Sequence, residues 1–218
     1  MNFATSDWLK FARVSNERYR RFARASVFSH DRLVFKLAQL QLEGTHSLSF
    51  GLAGCRALYG EVERMYREER KDRAAAKTEG VLQSVKMPPQ SAAMDDAALT
   101  YDERRRCLIC KHACFFSAAV CECNPSAVAC LRHRNELCGC DSTKKCLILW
   151  WSESEIKQLV NQLARKVAEL QQLAEMAAAA KSAEDDEEGE LLSVGGGSAS
   201  GGGATHSGGA AKQEPTKA

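Results

Sequence analysis

A chain of 218 residues has room for one ordinary domain or two small ones, and its 44% hydrophobic content allows a packed core. A formal charge of +2 is too small to argue for a polyanion partner, and no run approaches the roughly 20 apolar residues of a membrane span. The start, MNFATSDWLKFARVSNERYRR, is amphipathic and charged rather than an apolar leader, so a reducing compartment and no membrane are expected.

The first part of the chain is basic. Residues 1–77 hold 15 Lys and Arg against 9 Asp and Glu. Trp8, Phe11, Ala12, Tyr19, Phe22 and Ala23 recur at helical spacing and predict a first helix. Ser29 is placed to cap a second helix carrying Leu33, Val34, Leu37 and Leu40, punctuated by Gly44. A third, highly charged helix is expected over Glu61–Lys77 with Val62, Met65 and Tyr66 as its apolar stripe. Pro88-Pro89 and the small polar residues around them predict a loop over 78–100, so residues 29–100 read as a helical domain and loop.

Nine of the ten cysteines lie between Cys107 and Cys146; only Cys55 lies elsewhere. Their short spacers leave little room for regular structure, so residues 101–151 read as a small irregular module. Four close pairs stand out: Cys107/Cys110, Cys121/Cys123, Cys130/His133 and Cys138/Cys140. Zinc takes four tetrahedral ligands, and thiolate and imidazole suit it. A close pair offers two ligands from one turn, and two pairs from distant places complete a site. Eight ligands therefore imply two Zn2+ ions. Spacing leaves two pairings open, neighbours or alternate pairs. The interleaved scheme is favoured, because then neither loop opens alone: Cys107, Cys110, Cys130 and His133 hold the first zinc, and Cys121, Cys123, Cys138 and Cys140 the second. Both sites would be closed by protein ligands, hence structural. Cys114, beside Phe115 and Phe116, is expected to be a small buried hydrophobe. Cys146 is also surplus, and His112 lies outside the paired scheme. Pro125 is expected to mark a turn returning the chain toward Cys130.

Basic residues at Arg104-Arg105-Arg106, Arg132, Arg134, Lys144 and Lys145 offer phosphate contacts, so a weak nucleic-acid contact stands beside a solvated basic face. Trp150 and Trp151 are expected to pack between elements. Ser152 and Glu155 fit a capping box. Ile156, Val160, Leu163, Val167, Leu170, Ala174 and Ala177 follow at alternating spacings of four and three, an amphipathic helix over 152–182. It either packs on its own chain or meets a coiled-coil partner through 156–177. Residues 183–218 turn acidic and then Gly/Ser/Ala-rich, and read as a disordered tail. The fold class is mainly α, with the two-zinc module embedded.

These residues resemble a known family. The run Cys107-x-x-Cys110, Cys114, Ser117-Ala118, Cys121-x-Cys123, Pro125, Cys130-Leu131, His133 and Leu137-Cys138-x-Cys140 is similar to the five-cysteine, histidine, two-cysteine zinc finger of jumonji-type (JmjC) histone lysine demethylases. The nearest group is the JARID family, which acts on lysine 4 of histone H3. The start, NFATSDWLKFARVSNERYRRFARASVFSHDRL, resembles the segment that leaves the catalytic jumonji domain of that family and enters its helical domain. The resemblance implies that residues 1–28 are that segment, that the equivalent of Cys114 is not a ligand, and that the zincs are held in the interleaved order. It also implies a nuclear location, with the catalytic jumonji domain and histone or chromatin as partners.

The family oxidises methyl groups with Fe(II), oxygen and 2-oxoglutarate, using iron held by His-x-Asp or His-x-Glu and a distant His. None of the five histidines here begins such a pair. Fe(II) and 2-oxoglutarate are thus expected only in a catalytic domain missing from this chain, which alone should be inactive. Two functions are consistent with this: the zinc-finger portion of a demethylase, supporting the catalytic domain, or a stand-alone non-enzymatic zinc module for protein or nucleic-acid interaction.

Overall fold

The computed structural model describes residues 8–44, 50–87 and 104–193, with side chains through Lys181. Helix α1 spans Trp8–Arg21 and buries only Leu9. Its inner stripe is Trp8, Ala12, Asn16 and Arg20, all half-buried, while Phe11 and Phe22 are each 71% exposed. Of the residues at helical spacing, Trp8 and Ala12 thus face inward while Phe11 and Phe22 face out, with Arg20 on the inner side near His112 and Asp31.

Helix α2 spans His30–Glu43. The Ser29 hydroxyl accepts from the Arg32 backbone N–H, and Gly44 ends the helix at φ 64°, a left-handed conformation open to glycine at little cost. Helix α3 spans Leu52–Thr78 and begins nine residues before Glu61, the start expected from charge. The reason lies in the stripe: Cys55, Leu58, Val62 and Met65 alternate at three and four, so one buried face runs through the whole helix. Gly80, at φ 96°, lets the Val81 N–H return to the Ala76 carbonyl and close the helix end.

The cysteine region is more regular than its spacers suggested. Strand β1 is Gln83–Lys86, inside the stretch expected to be loop; β2 is Ser117–Cys121, β3 Asn124–Ala129 and β4 Lys145–Leu149. They form one sheet in the order β1-β4-β2-β3. Strand β1 runs parallel to β4, while β2 is antiparallel to both β3 and β4. Period-2 alternation is absent because β2 is central and buried along most of its length, with small residues Ser117, Ala118 and Ala119 admitting neighbours on both faces. Pro125 lies in edge strand β3 rather than in the turn, which falls at Glu122–Cys123. The Pro88-Pro89 portion of the expected loop lies outside the described residues.

Helix α4 spans Glu153–Ser193, past the boundary expected at 182; residues 194–218 of the tail lie outside the described residues. Its capping box is closed reciprocally: the Ser152 N–H donates to Glu155 Oε2, and the Glu155 N–H donates to Ser152 Oγ at 3.2 Å. Two compact units arise, residues 1–174 and 175–218. In the first, Val34, Phe35, Leu58, Val62, Ile156 and Leu163 build one core together with Phe115 and Phe116 of the cysteine module. Phe35 meets Phe116 edge-on at 5.4 Å and Trp151 at 4.6 Å, so both regions share their largest aromatic contacts. No described helix is long and apolar enough to cross a membrane.

Candidate metal centre

The antiparallel sheet explains how distant pairs meet. Segment 107–114 enters β2 from one end of the sheet, and β3 runs back to that same end before reaching Cys130. The Leu108 N–H donates to the Val128 carbonyl at 2.8 Å and fastens the two. At the opposite end, Cys121 pairs in register with Asn124 and with Lys145. This brings the β2–β3 turn beside the segment that precedes β4, where Cys138 and Cys140 lie.

Local turns set each pair. Cys107 and Cys110 flank a tight turn closed by the Lys111 N–H on the Cys107 carbonyl, with Lys111 at φ 58°. Cys130 precedes a 3-10 turn over Leu131–His133, and the His133 N–H donates back to the Cys130 carbonyl at 2.9 Å. Buried Arg134 braces this turn by donating to the Leu131 carbonyl at 2.5 Å and to Glu79.

Two groups of donor atoms result. Cys107, Cys110, Cys130 and His133 form one, and Cys121, Cys123, Cys138 and Cys140 the other; within each, the ligand atoms lie within 4.8 Å of one another. A zinc tetrahedron with Zn–S of about 2.3 Å has S···S edges of roughly 3.8 Å. The Cys110 and Cys130 sulfurs are 3.8 Å apart, and His133 Nδ1 lies 3.7 Å from the Cys107 sulfur. The other ring nitrogen of His133 faces Glu136 at 4.0 Å, a carboxylate placed to orient the imidazole. The first group is largely buried; in the second, Cys123 is exposed and Cys138 and Cys140 half-exposed.

Crowded thiols cannot all ionise unaided. Hydrogen bonds from Cys110 and Cys130 pull the Cys107 thiol down, while the same neighbours' contact with Cys107 pushes Cys110 and Cys130 up. In the second group the backbone N–H of Cys140 lowers the Cys138 thiol to about 7, while Cys121 and its neighbours push Cys123 to about 12. A divalent cation at the centre removes this conflict by offsetting the repulsion of adjacent thiolates. Both groups are competent to hold zinc.

The surplus residues are occupied otherwise. Cys114 is buried, its thiol raised well above the ordinary range by burial and by nearby Cys107 and Cys110. His112 is buried with Nε2 2.6 Å from Nη2 of Arg20 and 3.2 Å from Oδ2 of Asp31. This junction joins α1, α2 and the cysteine module, and no spacing or motif signals it in the sequence. Most of the expected basic face is also engaged. Arg105 stacks on Trp150 at 3.8 Å, Arg106 donates to the Ser26 carbonyl, and Arg132 reaches Glu17, Glu68 and Asp72. Lys145 is buried.

The C5HC2 zinc finger family matches residues 107–159, which contain both donor groups. Residues 107–159 are thus matched as a C5HC2 zinc finger. A second family, the C-terminal helical domain of lysine-specific demethylase 5, matches residues 7–63, which hold α1, α2 and the start of α3. The chain is 34% identical over 163 residues to lysine-specific demethylase 5D of Homo sapiens and of Pan troglodytes, covering 75% of this chain and 10% of each relative. It is 32% identical over 166 residues to lysine-specific demethylase JMJ17 of Arabidopsis thaliana, covering 76% of this chain and 13% of that relative. The two family matches and these relatives together support a fragment of JARID-type, lysine-specific demethylase 5 character, and the chain spans about a tenth of the length of these relatives.

Proposed function

We propose that this chain is the helical and zinc-finger portion of a nuclear histone lysine demethylase, supporting a catalytic jumonji domain and its engagement of chromatin. Two structural zincs are the metals, one on Cys107, Cys110, Cys130 and His133 and one on Cys121, Cys123, Cys138 and Cys140. Each site is closed by four protein ligands, which suits a structural role and leaves no position for substrate. Fe(II) and 2-oxoglutarate belong to the catalytic domain, and lysine 4 of histone H3 is the substrate that the family resemblance points to. The observation that carries this is one core built jointly by the helical region and the cysteine module, each matched by a family model of its own.

The test has two parts. Emission spectrometry on the purified chain should report close to two zincs; Cys114→Ser should keep both and His133→Ala should lose about one. A catalytic jumonji domain of the family, supplied separately, should then bind the zinc-loaded chain and demethylate a methylated lysine 4 histone H3 peptide faster with it than without. A stand-alone interaction module would hold its zinc and leave the catalytic domain unchanged.

A further inference from the structure

A cleft of about 510 Å³ lies between α1, α3 and the cysteine module. That size falls in the range of small-molecule sites. Its apolar lining comes from Met65, Phe115, Phe116 and Leu131; its rim is charged. Six arginines and five acids line it, and their pairing is uneven. Asp31 is near Arg20, and Glu68 is held by Arg64 and Arg132. Glu17 and Asp72 are held by Arg132, and Glu69 by Arg73. Every acid of the wall thus has an arginine. Arg13, Arg18 and Arg21 of α1 also line the cleft but meet no acid among the described residues. Below them, the Nε2 of His30, another lining residue, is buried without a hydrogen-bond partner.

We infer that this cleft binds a compact, multiply phosphorylated anion. Three arginines spread over nine residues of one helix cover about 12 Å of its axis, which suits several phosphates on one small ring better than a single phosphate. Guanidinium is suited to this because its fork of donors meets phosphate oxygens in pairs. The wall carries one positive charge in excess, six arginines against five acids, and the apolar floor beside it strengthens each contact relative to open solvent. The site is separate from both metal groups in its chemistry, although Cys130 and Arg132 border it. The same phosphate chemistry is offered by a nucleic-acid backbone, which would lie across the opening rather than inside it.

The experiment is titration calorimetry of the zinc-loaded full chain with an inositol trisphosphate, with a single-stranded oligonucleotide as the second arm. Saturable binding of the inositol trisphosphate is expected at one site. Replacing Arg13, Arg18 or Arg21 by Ala should each weaken it about threefold to tenfold, and the triple replacement should remove measurable binding. Glu17→Gln should tighten it about twofold, because Arg132 is then less neutralised. Circular dichroism checks that α1 persists in each variant. A triple replacement of Arg67, Lys157 and Arg165, which carries the same charge change away from the cleft, should leave binding intact. The inference is overturned by no binding of the small anion, by binding of the oligonucleotide alone, by equal losses in the two triple variants, or by weaker binding in Glu17→Gln.

Discussion

Asp31 shows how one carboxylate joins three parts of the molecule. It follows the cap of α2, faces His112 of the cysteine module at 3.2 Å and lies 3.9 Å from Arg20 of α1. Burial would raise its carboxyl, but hydrogen bonds from His112 and His30, and the charges of His112 and Arg20, hold it well below the usual carboxylate range. A group with a depressed folded pKa stabilises the fold above its unfolded value, near 3.9, and that stability is lost only as pH falls through the folded value. Asp31→Asn should therefore cost about 1–3 kcal/mol in urea unfolding at pH 7. The gap to the unaltered protein should stay constant from pH 8 to pH 5, since the titration window lies lower. A gap that shrinks across that range would show that another group carries the junction. The eight candidate ligands were legible from spacing, since close pairs of sulfur and imidazole donors have few other uses. The Asp31 junction was not, since its members stand 11 and 81 residues away and no periodicity links them.

At the scale of elements, α4 divides its seven-residue repeat between two fates. Ile156, Leu159, Val160 and Leu163 are buried in the shared core, so these positions are spent on the chain itself and are closed to a coiled-coil partner. Farther along, the repeat position Ala174 is exposed, and Leu173 beside it is 62% exposed. Leu163→Ala should destabilise by about 2–5 kcal/mol, whereas Leu173→Ala should change thermal unfolding by less than about 0.5 kcal/mol. Similar losses at both positions would mean that Leu173 is covered in solution. Periodicity identified this helix and its cap but was silent on the change of role along it, because spacing records which residues align and not what lies opposite. The sheet was missed for a related reason. Strands of four to six residues, one of them ending in the candidate ligand Cys121, carry little pattern of their own. They exist because neighbours supply their ladders.

For the whole molecule, the consequence is cooperativity between zinc and helices. Phe115 and Phe116 follow the first pair of ligands and pack on Phe35 of α2. Arg132, next to the candidate ligand His133, reaches α1 and α3 through Glu17, Glu68 and Asp72. Structural zinc contributes about 10–16 kcal/mol of apparent binding free energy in small domains, comparable to the entire net stability of a fold. Hydrogen exchange before and after chelation should show protection falling first around Cys121–Cys140, where the donors are more exposed, and then in α2 and α3 as well. Unchanged protection in Phe35 and Val62 after verified zinc loss would show that the helices stand alone.

Composition, spacing and capping residues by themselves determined that the chain is mainly helical, that eight paired donors are candidates for a metal module, and where α2 and α4 begin. These are local properties: a ligand type, a turn or a cap is set by residues within a few positions. Which pairs face each other was decided by the tertiary structure, because the antiparallel β2–β3 hairpin returns Cys130 to the end where Cys107 begins and leaves Cys121 beside Cys138. The direction faced by α1, the cleft behind it and the core shared across the two regions likewise depend on contacts between segments far apart in sequence, and such contacts leave no period for the sequence to display.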